Sequence, residues 1–521
     1  MESIEESDIN ENEIYKKLEQ NNLISFKLNT NNQINTNFKL NEKEEKCFSA
    51  ILNVLKKNNL NSIICRVAGG WVRDKLLGKE CDDIDITINE MKPGQFANLI
   101  NDEINPGESK FGIIHQNPKK EKNIEVANIE LFNTSIDIVN LRCEDINIIG
   151  TALSDAQYRD ITINSLFYNL NEQKVEDFTR KGINDLIQGI IATPLDPEIT
   201  IKYQSTFIIL RILRFAIKFK FKIANNINNY IEKNSEEIKN NFYKNISNER
   251  IGKELLKILA DENSTFVISY LYSFNILDII FLVKNYDKKN NFENIFLKTT
   301  NLFILGEYLY KNKKLLDIEI NQDNFNKIDY SLLLLTLYFR DFKKSNASLS
   351  QQILKHTYKL GFIYQNAIYL IFKHLDNLYN IINKGQFERL EIGKILRKIT
   401  YNNIMPILYA LVAYEYIEKI ELNSILNDLD NNFLQKIIEK NNMFLKYIVN
   451  EDMLHLDKVQ PLLKGKEILD MLNIKSNKEI GKLNEFLIEE QIKNPKLNKS
   501  QAIELLKKKY EEIKSNNIKE A

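Results

Sequence analysis

Residues 66–88, RVAGGWVRDKLLGKECDDIDITI, place a glycine pair, an Arg-Asp pair and three aspartates in one short span. Residues 62–68, SIICRVA, form an apolar run of strand length. Gly69 and Gly70 then make a turn at which backbone can approach a ligand. WVRDKLLG resumes with Val72, Leu76 and Leu77 at helical spacing, so the segment reads strand, glycine turn, helix. Backbone N–H groups at such a helix start favour phosphate, and Arg73 adds a fixed cation one turn in. In DDIDITI the period of two puts Asp83, Asp85 and Thr87 on one strand face and Ile84, Ile86 and Ile88 on the other. Carboxylates held that close repel, and a divalent cation between them offsets the cost. Mg²⁺ bound through one or two carboxylates plus substrate phosphates is the ordinary polymerase arrangement. D-x-D alone equally describes a solvated edge strand; its conjunction with G-G-x-x-R-D favours metal.

The remainder of the chain bounds what this motif can serve. A length of 521 residues suffices for two to four domains. Lys and Arg total 71 against 71 Asp and Glu, so any nucleic-acid surface has to be a local patch offset by acid elsewhere. Cys47, Cys65, Cys81 and Cys143 show no C-x-x-C spacing and the four histidines are scattered, which argues against a zinc module or disulfide framework and fits a reducing compartment. Residues 1–22 are acidic and polar, unlike a secretory signal or a transit peptide; no import signal is read, and a soluble cytoplasmic or nuclear setting is expected. The most apolar stretches, ILDIIFLV at 276–283 and YSLLLLTLYF at 330–339, fall short of the roughly 18–20 residues a membrane span needs. Asn-rich stretches read as flexible loops. No G-x-G-x-x-G follows the strand and no G-x-x-x-x-G-K-[ST] occurs, which excludes a dinucleotide fold and a P-loop ATPase.

Residues 46 to about 195 mix short β-rich runs with glycines and turns, whereas no proline occurs between Pro197 and Pro406. In that second stretch apolar residues recur at three and four spacing, as in IILRILRFAIKFKF at 208–221 and NLFILGEYLYKNKKLL at 301–316. The expected fold class is α+β: a mixed sheet-and-helix head followed by an all-helical arm.

GGWVRDKLLG followed by DID resembles the signature of the class II tRNA nucleotidyltransferases, the CCA-adding enzymes and related bacterial poly(A) polymerases of the polymerase β superfamily. The resemblance continues in YRDITINSLFYNLNEQKVEDFTRKGINDLIQGIIATPLDP at 158–197 and SNERIGKELLKIL at 247–259. PLLKGKEILDMLNIKSNKEIGKLNEFLIEEQIKNP at 461–495 is similar to the yeast-like, eukaryotic branch, while residues from about 265 to 450 carry no recognisable block. It implies an N-terminal extension (1–45), a nucleotidyltransferase head (46–190), a helical neck (191–265), a helical body (266–450) and a tRNA-binding tail (451–521). The activity implied is template-independent addition of C, C and A to the 3′ end of tRNA from CTP and ATP by two-metal nucleotidyl transfer, with Mg²⁺ as cofactor.

Carried across by the resemblance, Asp83 and Asp85 are the catalytic metal ligands, and Gly69, Gly70, Arg73 and Asp74 lie at the triphosphate. Arg159, Asp160 and Asn164 meet the ribose and phosphates of the incoming nucleotide. A third carboxylate is usual in this superfamily. Asp137 in SIDIVNLR is the candidate, since Ile136, Ile138 and Leu141 make that segment a strand able to lie beside the first pair; Glu125 in NIEVANIEL competes with it. Arg142, at that strand's end, is a candidate phosphate contact.

Two departures accompany the matches. The family's R-R-D reads YRD, with Tyr158 in place of the first arginine. The family's E/D-D-x-x-R-x-x-R-x-x-R-F segment, whose second acid and first arginine read base edges, appears as QSTFIILRILRF, with Ser205 and Ile208 at those places and only Arg211 and Arg214 kept for the nucleotide. Charged bidentate base contacts discriminate by about 1–3 kcal/mol each, so their loss loosens selection of C and A. A related enzyme with relaxed or partial output (A-adding, CC-adding or oligo(A) tailing) and a degenerate tRNA-binding relative are therefore the alternatives. Grip on RNA is expected from Lys218, Lys220 and Lys222 and from the lysines of KGKEI at 464–468.

Overall fold

The structure, a computed structural model, describes residues 23, 26–107, 110–114, 125–145, 148–281, 292–316, 327–342, 353–399, 401–421, 426–474 and 477–520. Residues 1–22 of the expected N-terminal extension lie outside the described residues. The chain forms two compact units, one with described residues 26–258 and 266–281, the other with 23, 259–265 and 292 onward.

The first unit is built on a seven-stranded mixed sheet of order β3-β4-β5-β2-β1-β6-β7. Its strands are β1 (Arg66–Ala68), β2 (Ile84–Ile88), β3 (Phe111–Ile114), β4 (Val126–Leu131), β5 (Thr134–Asn140), β6 (Phe167–Asn169) and β7 (Lys174–Glu176). The β2–β5 pair is parallel and every other pair in the sheet antiparallel. Ile84, Ile86 and Ile88 of β2 and Ile136 and Ile138 of β5 are buried, as the period-two reading requires. The strand expected over 62–68 is only three residues long. Ile63 and Cys65 are buried, but Ile64 N and Cys65 N donate to the side chains of Asn89 and Asn171 instead of a neighbouring strand.

Helices α1 (Glu42–Lys57), α2 (Gly70–Leu76) and α3 (Pro93–Ile104) accompany the sheet. Asn41 opens α1 through a capping box with Glu44. Trp71, fully buried on α2, packs against Phe38, Phe48 and Tyr168, and its indole N–H donates to Glu44 at 2.9 Å. Glu44 also accepts Lys75 at 3.0 Å, which is how an acid only 2 % exposed is satisfied there.

The Asn-rich stretch before α1 is not a flexible loop. Asn29 N donates to Lys220 O and Asn29 Nδ2 to Phe219 O, both at 2.7 Å; Asn32 donates from backbone and side chain to Ile187 O and Leu186 O. A Cβ on Gly189, at φ 71°, would stand 1.9 Å from Asn29 O, so glycine there lets the strap pass.

Beyond β5 come α4 (Ala152–Gln157), a 3₁₀ turn (Thr162–Asn164), α5 (Gly182–Gln188), a π-helical turn (Glu198–Gln204), α6 (Ile208–Phe219), α7 (Asn225–Lys233), α8 (Ser235–Asn245) and α9 (Asn248–Leu259). A second, two-stranded parallel pairing of β8 (Ile190–Ile191) with β9 (Lys222–Ile223) ties the entry of this helical part to the end of α6. Helix α6 buries Ile208, Ile209, Leu210, Ile212, Leu213, Phe215, Ala216, Ile217 and Phe219, which orients Arg211 and Arg214 along its remaining face.

The second unit is built of helices, with no strand among its described residues. Its long helices are Phe292–Lys311, Lys327–Phe342, Phe362–Lys384, Tyr401–Lys419 and Asn431–Asn450, followed by Gly465–Leu472, Asn477–Lys493 and Lys499–Glu520. The last three share a core of Leu463, Ile468, Ile474, Leu483, Leu487, Ala502, Leu506 and Tyr510. Arg389 fastens this end to the helix Arg389–Leu396 by donating to Ile492 O at 2.6 Å. Among the described residues no helix is long and apolar enough to cross a membrane.

Candidate active site

The parallel register of β2 and β5 sets Asp85 directly opposite Asp137, flanked by Ile84 opposite Ile136 and Ile86 opposite Ile138. Paired residues of a parallel register face the same side, so both carboxylates rise from one face, with Asp83 exposed just ahead of β2. Burial, reinforced by the charge of Asp83 and then of Asp137 and opposed by Arg159 and Arg142, pushes the Asp85 carboxyl from its ordinary 3.8 up to about 6. Asp137 accepts a 2.6 Å hydrogen bond from Asn128 on the adjoining strand. Glu125, the competing third carboxylate, instead accepts the Gly94 N–H at 3.0 Å at the start of α3, so it is Asp137 that the sheet brings beside Asp85. Among the described residues no three His, Cys, Asp or Glu side chains form a ready metal cage. The donors present are hard carboxylate oxygens, too few to enclose an ion without substrate oxygens, which is the coordination Mg²⁺ takes on nucleotides.

Around this face the cations are held in a relay. Gly69 (φ 78°) caps α2 with its N–H donating to Leu166 O at 3.0 Å, and a Cβ there would meet Arg159 Nη1 at 2.8 Å. Arg73, 3 % exposed, donates to both oxygens of Asp74 at 2.8 and 3.0 Å and to Asn164 Oδ1. Asn164 Nδ2 donates to Asp160 Oδ1 at 3.1 Å, and Asp160 Oδ2 accepts Arg211 Nε and Nη2 at 2.7 and 2.6 Å. Burial works to raise the Asp160 pKa, but Arg211, Asn164 and the Ile161 N–H together bring it below the usual carboxylate range. Arg73, Asp74, Asn164, Asp160 and Arg211 are thereby connected from α2 through the segment at the 3₁₀ turn to α6, with the Gly69–Gly70 turn at the start of α2 beside them. Arg214 takes a different partner, the buried Glu254 of α9.

One residue here was not visible as a site residue. Asp155 on α4 is fully buried and accepts Arg142 Nε at 2.6 Å and Arg159 Nη2 at 2.8 Å. Burial favours its neutral form, yet the two arginines outweigh that and depress its pKa. Arg159 Nη1 also donates to Asn164 O at 3.2 Å, joining this clamp to the relay. The i, i+4 spacing of Asp155 and Arg159 was the available signal. Tyr158 follows the last turn of α4 and is partly exposed; Ser205 closes the π-helical turn in extended conformation, and Ile208 is buried at the start of α6.

A mixed sheet carrying aligned carboxylates beside a glycine turn and an arginine relay defines a nucleotidyltransferase head, and the comparisons agree. Residues 65–192 match the family model "Poly A polymerase head domain", and 220–286 match "Probable RNA and SrmB- binding site of polymerase A". The tRNA nucleotidyltransferase cca1 of Schizosaccharomyces pombe is 30% identical over 496 residues, covering 90% of this chain and 97% of that protein. The mitochondrial CCA tRNA nucleotidyltransferase of Candida glabrata is 29% identical over 492 residues, 85% of this chain and 90% of its own length. The Thermotoga maritima CCA-adding enzyme, solved with tRNA, shares the fold at TM-score 0.56 and 21% identity, over 90% of this chain and 96% of that one. The chain belongs to the tRNA nucleotidyltransferase family.

Proposed function

We propose that this chain adds C, C and A in turn to the 3′ end of tRNA from CTP and ATP without a nucleic-acid template. The observation that carries the reading is the alignment of Asp85 with Asp137 beside Asp83, a carboxylate group whose mutual repulsion calls for a cation. Asp83 and Asp85 would hold Mg²⁺, with Asp137 as the third carboxylate. Mg²⁺, when bound, lowers the charge cost of attack by the tRNA 3′-hydroxyl on the α-phosphate. The chain's own part is orientation. Arg73, fixed by Asp74 and Asn164, and the Gly69–Gly70 turn receive the triphosphate; Arg159 and Arg142, fixed by Asp155, stand beside the acids; Asp160 and Asn164 meet the ribose. We assign residues 46–190 to the head, 191–265 to the neck, 266–450 to the body and 451–521 to the tRNA-binding tail. Four free cysteines support a reducing setting.

A second reading has its own support. Ser205 offers no carboxylate, Ile208 is buried, and Arg211 and Arg214 are each engaged by an acid, so α6 presents no acid–arginine pair to a base edge. Relaxed selection, or output limited to A, CC or oligo(A), follows from that loss. The test of the shared chemistry is Asp83→Asn and Asp85→Asn. Each should abolish nearly all transfer while tRNA binding is largely kept, and a loss of only two- or threefold would remove the acids from the mechanism.

A further inference from the structure

Five cations converge on one aromatic pair at the edge of the nucleotide relay. Phe215 and Phe219 of α6 stack with centroids 6.1 Å apart and planes 8° from parallel. Arg73 lies 4.5 Å from the Phe219 centroid, Lys218 Nζ 5.3 Å and Lys79 Nζ 5.6 Å, while Arg214 and Arg211 approach Phe215 at 4.1 and 5.5 Å. The three arginines each have a carboxylate: Asp74, Asp160 or Glu254. Lys79 and Lys218 have none within ion-pairing distance among the described residues, and both are exposed. The cluster therefore carries an excess of about two positive charges, with both unneutralised heads over one ring. Although the Lys218 side chain is largely open to solvent, desolvation against the cluster and the charges of Arg73 and Arg214 outweigh the opposing pull of Asp74 and hold its pKa below the ordinary lysine range, so the crowding is felt where an anion would relieve it.

We propose that Lys79 and Lys218 form a phosphate-binding pair beside Arg73, serving a polyphosphate or two neighbouring phosphates of an RNA strand. The two ammonium groups share the Phe219 ring, which limits their separation to about 11 Å, a span that successive phosphates bridge once the flexible stems adjust. The rings give the lysine stems an apolar floor and leave the charged heads in water. The proposal rests on the nucleotidyltransferase reading of the neighbouring relay, and its test needs no turnover.

Equilibrium binding of tripolyphosphate, and separately of a tRNA lacking its 3′ CCA, is measured for the wild type, for the double variant Lys79→Met with Lys218→Met, and for Lys79→Arg with Lys218→Arg. If the source is the nucleotide, the Met variant binds tripolyphosphate about ten- to thirtyfold more weakly, with tRNA affinity little changed. If the source is RNA, the logarithmic salt dependence of tRNA binding becomes shallower by about 1.5, since two phosphate contacts are lost. The Arg variant restores whichever is lost, and the Met variant unfolds no earlier than wild type, because the removed charges repel one another. Binding of both ligands within twofold of wild type, or a loss that Arg does not restore, overturns the pair. A wild type that binds these ligands but extends no tRNA would overturn the functional reading and leave this assignment standing.

Discussion

Replacing Asp85 by Asn should make the ligand-free protein more stable near neutral pH. Asp85 is isosteric with Asn, yet its folded pKa is about 6 against an ordinary 3.8. A raised carboxyl pKa means that the ionised form is disfavoured in the fold. The penalty is absent below about pH 4, grows between 4 and 6, and is complete above 6. About two pKa units at 1.36 kcal/mol each give about 3 kcal/mol, and screening of a partly exposed group brings this to about 1–3 kcal/mol. The protein carries its single tryptophan, Trp71, in the core of the first unit, so tryptophan fluorescence follows that unit's unfolding. At about 2–4 °C per kcal/mol the variant's transition should rise by several degrees at pH 7.5 and coincide with wild type at pH 4. Mg²⁺ should narrow the gap at pH 7.5, since binding to the native acids stabilises wild type more than the variant. A variant less stable than wild type at pH 7.5, or a gain that persists at pH 4, refutes the electrostatic account of this face.

Asp155→Asn should act oppositely: two arginines lose a buried partner, costing about 3 kcal/mol by Trp71 fluorescence, and transfer falls with them. Because the Asp155 pKa is depressed, the wild-type advantage is present above about pH 4 and disappears as pH falls below it, a window distinct from that of Asp85. Ser205→Asp with Ile208→Arg should sharpen selection of C and A over U and G in single-turnover incorporation, by about tenfold or more per restored base contact; loss of activity with unchanged selectivity in wild type would show that bases are read elsewhere. Gly189→Ala should weaken the first unit, seen as earlier unfolding, because its Cβ would strike Asn29 O.

Much of the head was legible because its decisive signals are local. Glycines at a turn, isoleucines at period two in β2 and β5, and apolar three-and-four spacing in α6 each report the geometry of a single element. The parallel pairing that aligns Asp85 with Asp137 was not so legible. Alternation fixes which face a side chain takes, but partner and register come from the folded sheet. The relay was hidden for the same reason: Arg73 meets Asn164, and Asp160 meets Arg211, only after distant segments fold together. Asp155 lies three residues ahead of YRD, and its burial between Arg142 and Arg159 arises only when the end of β5 meets α4 in the fold. The Asn-rich strap misled because composition counts residues, whereas the bonds from Asn29 and Asn32 to backbone carbonyls depend on where the chain runs.

The central claim is tested most directly by giving the purified protein a tRNA trimmed of its 3′ end, supplying CTP, ATP, UTP and GTP singly and together with Mg²⁺, and sequencing the products. The account predicts growth by C, C and then A on the 3′ end, stopping there, with U or G entering as errors at a rate set by the missing acid–arginine pair. A wild-type protein that leaves the tRNA unextended, under conditions where it binds tRNA, would contradict it.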